Sequence, residues 1–189
     1  MEPLVGTGVV IGDLYADHDV EEELTELVAL LFQQYAKPIC AYIQALVNDW
    51  ELAYDLTQET YLRLHQTRGR LPAVENRRAW VYRIATNLTL NEVKRRKRFA
   101  WLPWSQVDER RTDEWPEFDA TLDDQAAVNR TLAQLSAEQR APLLLAAGYG
   151  FTVREVAETL GISESAAKTR LYRARERFRQ LYAEGEASE

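Results

Sequence analysis

Apolar side chains recur every three or four positions along most of this chain, and no segment alternates convincingly with period two. Leu24, Leu27, Val28, Leu31, Phe32 and Tyr35 make a first helical stripe. Pro38 ends that helix or opens the next, and Ile39, Tyr42, Ile43, Leu46 and Val47 make a second stripe. Residues 49–66 predict a third helix, with Leu52, Leu56, Tyr61, Leu62 and Leu64 as its apolar positions. The segment 69–72 reads as a loop, and Asn76 as the cap of a long helix running to about residue 99. From 100 to about 121 the period is lost among Pro103, Pro116, Trp101, Trp104, Trp115 and many acids. Helices resume near Asp123 and lead, through Leu132, Leu135 and 143–145, to residue 151. The pattern predicts an all-α chain in two small helical domains, 24–99 and 123–185. An acidic linker over 100–122 joins them, and a flexible acidic arm over 1–23 precedes them.

Residues 151–178 carry the most specific spacing. Thr152 and Glu155 form a capping box, which starts a helix. Val153, Val156, Ala157 and Leu160 give that helix one apolar stripe, and Gly161 supplies a turn. Ser163 caps a second helix, whose Ala167, Leu171, Ala174, Phe178 and Leu181 recur at intervals of four, three, four and three. This is the layout of a helix-turn-helix, which lays its second helix in the DNA major groove. The outer face holds Glu164, Ser165, Lys168, Thr169, Tyr172 and Arg175, flanked by Arg170 and Arg173. Cations and hydroxyls reach base edges or phosphates, and a tyrosine ring packs on sugar or a thymine methyl. The plainer alternative is an amphipathic helix with a solvated basic face.

Composition narrows the classes. The chain has 189 residues and 46% hydrophobic content, enough for packed cores. No apolar run approaches the ~18 residues of a membrane span, and the N-terminus lacks the features of a signal peptide, so the expected location is cytoplasmic with no membrane insertion. Cys40 is the single cysteine, and His18 and His65 are the only histidines, without partners at ligand spacing. A metal site, a cofactor and a catalytic triad are therefore unsupported, and the chain does not read as an enzyme.

The net charge of −7 argues at first against nucleic acid, but the distribution reverses that impression. Residues 1–35 hold eight acids and no lysine or arginine, whereas 77–98 hold eight basic residues against the single Glu92. In that basic helix Val81, Ile84, Ala85 and Leu88 face a core. Arg78, Trp80, Tyr82, Arg83, Asn87, Asn91, Lys94 and Arg95 remain for other work. Aromatic rings stack on unpaired bases, amides read base edges, and cations hold the backbone. This mixture suits melted DNA. In the competing reading Trp80 and Tyr82 are core, and the run 94–98 is a solvated helix end favoured by the macrodipole.

Three motifs, in order, resemble those of bacterial RNA polymerase sigma factors of the extracytoplasmic-function group. They are 55–64 (DLTQETYLRL), 78–88 (RAWVYRIATNL) and the helix-turn-helix, and the resemblance covers about residues 24–182. It implies that Asp55, Gln58 and Glu59 dock on the polymerase clamp helices, where acid and amide groups suit an arginine-rich coiled coil. Tyr54 stands where many of these proteins carry a further acid. It implies that Arg78, Trp80, Tyr82, Arg83, Asn87, Asn91, Lys94 and Arg95 melt and read the minus-ten element, with a flipped-out base held near 69–77. Lys168, Thr169, Arg170, Tyr172 and Arg173 would read the minus-thirty-five element. The partners implied are core polymerase (clamp helices and flap), promoter DNA and an anti-sigma factor, with the linker near the polymerase's channels. The competing functional class is a free-standing helix-turn-helix regulator, although no dimerisation heptad or ligand pocket is visible in the sequence.

Overall fold

The computed structural model describes the backbone of residues 11–99 and 122–187, and the side chains of 20–98 and 126–187. The linker and its three tryptophans lie outside the described residues, as do residues 1–10 of the expected arm. Seven α-helices are described: α1 (Ile11–Val47), α2 (Trp50–Gln66), α3 (Arg77–Phe99), α4 (Leu122–Gln134), α5 (Ala137–Leu143), α6 (Val153–Leu160) and α7 (Glu164–Glu186). A 3-10 turn over Arg68–Ala73 joins α2 to α3, and a π turn over Leu144–Gly148 follows α5. No strand occurs among the described residues.

Two local expectations are corrected at the N-terminal end. Pro38 does not divide α1, which runs unbroken for 37 residues, about 55 Å. Proline costs this helix one backbone hydrogen bond. The helix survives because Ile39, Tyr42, Ile43 and Leu46, just beyond Pro38, are fully buried. Residues 11–23 are likewise the first turns of α1 rather than a loose arm. Glu21 is tied to the body through Arg68, with Nη2 to Oε2 at 2.6 Å. The 69–72 loop is also tighter than the sequence suggests, being a 3-10 turn anchored by fully buried Leu71.

The caps follow local chemistry. Asn48, at φ 55, closes α1 in the left-handed conformation that asparagine tolerates. Asp49 caps α2 by accepting from the Leu52 N–H at 3.0 Å, and Asn76 caps α3 by accepting from Ala79 at 2.9 Å. Thr152 with Glu155 forms the capping box of α6, and Ser163 caps α7. Gly161, at φ 64, makes the turn between those last two helices.

Helices α1, α2 and α3 pack on one another, and α4, α5 and α6 each pack on α7. The two groups are not separate bodies. Helix α3 packs along α6, α1 and α3 touch α5, and one hydrophobic cluster runs from Val28 to Leu181 through both.

Candidate nucleic-acid interface

Helix α7 is built as the sequence predicts. Ala167, Leu171, Ala174 and Leu181 are buried, so the intervening residues are turned outward. Lys168, Thr169, Arg170, Tyr172 and Arg173 are all exposed, Tyr172 by 66%. Thr169 donates back to the Ser165 carbonyl at 3.0 Å. An exposed tyrosine beside four polar side chains on a rigidly capped helix offers a mixed cationic and apolar surface. That is the chemistry a groove demands.

Helix α3 divides differently from its expected pattern. Asn87, Asn91, Lys94 and Arg95 are exposed along its outer face, and Arg83 is exposed nearer its start. Arg95 is held by Glu92 through two hydrogen bonds, at 2.6 and 2.7 Å, and the arginines beside Glu92 hold its carboxyl below the usual range. Arg96 reaches further, pairing with Glu92 and with Asp49 at the start of α2. Trp80 is half-buried, and its indole N–H has no hydrogen-bond partner among the described residues.

Tyr82 is a correction. It is 1% exposed and belongs to the core, with ring centroids 5.4 Å from Tyr42, 5.4 Å from Tyr149 and 5.0 Å from Phe151. Burial pushes its hydroxyl, and those of Tyr42 and Tyr149, well above the usual range for tyrosine. The true buried stripe of α3 includes Tyr82, Thr86 and Thr89. The threonines hide their hydroxyls by bonding back to the carbonyls of Tyr82 and Ala85, each at 2.7 Å. Threonines read as polar in a sequence, and so they concealed this face.

The two helical groups are clasped by side chains from both. The Arg78 guanidinium donates to the Tyr149 carbonyl and lies over the Phe151 ring, 4.2 Å from its centroid. Asn76 donates to Glu155 at 3.1 Å. Tyr149 donates its hydroxyl to the Pro38 carbonyl at 3.1 Å. Arg140 donates to the Ala45 carbonyl at 2.9 Å, satisfying an acceptor left open by the end of α1. Burial pulls the Arg140 guanidinium down to about 10. The sequence reading did not foresee Asn76, Arg140, Tyr149, Glu155 or Phe151 as a joint. The isolated Tyr149-Gly150-Phe151 after an apolar run was the available signal.

Between α3 and α6 the clasp leaves an open cleft of about 1050 Å³. Its walls include Tyr35, Arg77, Arg78, Trp80 and Arg83 on one side and Arg154, Glu155 and Glu158 on the other. A hydrogen bond from the Thr152 backbone N–H is the main cause holding the Glu155 carboxyl below its ordinary range. A smaller, apolar groove of about 370 Å³ lies between α4, α5 and α7, floored by Leu132, Leu143, Leu144 and Phe178 and rimmed by Arg175 and Arg179.

On α2, Asp55 is exposed, and Gln58 and Glu59 are half-buried. Glu59 pairs with Arg63 at 3.4 Å. The structure adds an apolar component that the sequence reading omitted: Trp50, Tyr54 and Leu62 are exposed by 44, 55 and 53% on the same helix. No cluster of three or more histidine, cysteine or carboxylate side chains suited to a metal occurs among the described residues. No described helix is long and apolar enough to cross a membrane.

Comparison with known proteins agrees with this layout. Residues 31–99 match the sigma-70 region 2 family model, and residues 125–178 match that of sigma-70 region 4. The ECF RNA polymerase sigma factor SigL of Mycobacterium tuberculosis is 33% identical over 152 residues, 78% of this chain and 84% of SigL. RNA polymerase sigma factor SigZ of Bacillus subtilis is 29% identical over 151 residues, 80% of this chain and 84% of SigZ. Among solved structures, sigma factor RpoE of Bartonella quintana, in complex with the anti-sigma factor NepR, superposes with a TM-score of 0.60 at 24% identity. That match covers 81% of this chain and 94% of RpoE. With two family regions in order and relatives matched along most of their length, the chain belongs to the extracytoplasmic-function sigma factors, non-enzymatic subunits that direct promoter-specific transcription initiation.

Proposed function

We propose that α2 docks on core RNA polymerase, α3 captures the melted minus-ten strand, and α7 reads the minus-thirty-five duplex. The docking surface is Asp55, Gln58 and Glu59, extended by exposed Trp50, Tyr54 and Leu62. Strand capture falls to Arg78, Trp80, Arg83, Asn87, Asn91, Lys94 and Arg95, with Tyr82 as their support from within the core. The cleft beside Trp80 and 73–77 is wide enough for a flipped base. Upstream reading falls to Lys168, Thr169, Arg170, Tyr172 and Arg173. The observation that carries this reading is the exposure of all five of these side chains on one capped recognition helix. The chain works in the cell interior, where polymerase is, and an anti-sigma protein holds it inactive.

The test is reconstitution. Full-length chain mixed with core polymerase should form a stable complex and yield transcripts from a discrete promoter set, read by sequencing their 5′ ends. Tight, specific duplex binding by the chain alone, with no association with core, would favour a free-standing regulator.

A further inference from the structure

The clasp occupies the surface assigned to the melted strand. In the closed chain Arg78 is spent on Tyr149 and Phe151, and Tyr82 is covered by both rings. Arg83 lies against the helix-turn-helix itself, since a Cβ placed on Gly161 would meet its guanidinium at 3.4 Å. The occupant has the chemistry of a nucleotide. Phe151 offers an aromatic face to a guanidinium, and the Tyr149 carbonyl offers an acceptor, as a base does with its ring and exocyclic oxygen. Gly150, at φ 65, makes the turn that lets both neighbouring rings reach Tyr82. Glu155 and Glu158, on the wall formed by α6, bring negative charge opposite Arg77 and Arg83, as a DNA backbone would.

Geometry adds that this closed form cannot serve both promoter elements. Their names place them about 25 base pairs apart, roughly 85 Å at ~3.4 Å per pair. Here α3 and α6 are in contact. The 22 residues 100–121 reach up to about 75 Å when extended. The chain can therefore open far enough only by giving up the clasp.

Resting on the function proposed above, we infer that the 149–151 segment is a built-in nucleotide mimic that occupies the strand-capturing face of α3, and that a promoter single strand displaces it. Region 4 then has two uses. Its α7 reads duplex, and the segment before α6 guards the single-strand site until the chain opens.

The experiment uses full-length protein and a fluorescent single-stranded oligonucleotide carrying the minus-ten sequence found in the reconstituted transcripts, with binding read by anisotropy at fixed salt. Phe151→Leu keeps apolar volume but removes the ring face. It should tighten single-strand binding about 3- to 10-fold, the range of one cation–π contact. Tyr149→Phe, which loses only the bond to Pro38, should tighten it by a smaller factor and leaves the core ring in place. A Glu75→Cys, Arg154→Cys pair in a Cys40→Ser background, bridged by a short cleavable cross-linker, should lose single-strand binding and regain it on cleavage. Equal affinity of both single variants and wild type, or unchanged binding after cross-linking, overturns the inference. Failure of the functional reading is a separate result: wild-type chain with core polymerase would then give no specific transcripts.

Discussion

Arg78 on α3 and Phe151 before α6 lie 73 positions apart in sequence, yet the guanidinium of one rests 4.2 Å from the ring centroid of the other. The pair joins the two halves of the chain. It also makes Arg78 a residue with two incompatible contacts, one in the closed form and one on DNA. Arg78→Lys keeps the charge but loses the planar stack and the guanidinium fork. Promoter opening by the holoenzyme, followed by permanganate reactivity of unpaired thymines, should fall about tenfold for Arg78→Lys and further for Arg78→Ala.

Arg173 is exposed on the outer face of α7. Arg173→Ala should weaken holoenzyme binding to the upstream element by ~1–3 kcal/mol if the side chain meets a base, and relax preference at one position. Lys168→Ala should weaken binding more evenly across sequences and reduce the salt slope by about 1 if Lys168 meets a phosphate. Filter binding across a salt series, on promoter variants, separates these outcomes.

Asp55 stands exposed on α2 beside exposed Tyr54. Asp55→Lys should reduce association with core polymerase mainly through the on-rate and more strongly at low salt, because rim charges steer encounter. Tyr54→Ala should instead raise the off-rate with little salt dependence, as an apolar contact would. Surface-plasmon kinetics at two ionic strengths resolve the two.

Glu155 couples the cap of α6 to Asn76 across the joint. Its carboxyl titrates below the ordinary glutamate value, so the charged form favours the folded chain. That contribution is fully present above the unfolded pKa of ~4.3 and is lost as pH falls through the lower folded value. Thermal melts of wild type and Glu155→Gln should therefore differ at pH 6 and converge as the pH drops below ~4.

Gly161 takes φ 64 in the helix-turn-helix. Gly161→Ala should cost about 1–2 kcal/mol from the left-handed backbone alone, lowering Tm by several degrees. The added methyl meets the mobile end of Arg83 at 3.4 Å and so adds little strain.

Elements governed by local chemistry were legible in the sequence. The caps at Asp49, Asn76, Thr152 and Ser163, the turn at Gly161 and the outward face of α7 all follow from residues within four positions of one another. What escaped was set by partners far along the chain. Pro38 signals a break, but the burial of Tyr42 and Ile43 overrides it. Tyr82 offers no local sign that Tyr149 and Phe151 will cover it. The buried face of α3 was hidden because Thr86 and Thr89 satisfy their own hydroxyls and pack as apolar groups. The site was thus readable as a set of residue types, while its closed state was not.

The hydrophobic cluster that runs unbroken from Val28 to Leu181 bears on how such chains can be recombined. Sigma regions are often pictured as exchangeable modules on a string. Here a transplanted C-terminal half would have to present its own equivalents of Arg140, Tyr149 and Phe151 to Ala45, Pro38, Tyr42 and Tyr82. A chimera lacking that fit would carry a bare aromatic face on its first half. The halves are therefore matched parts, and substitutions on either side of the joint constrain one another.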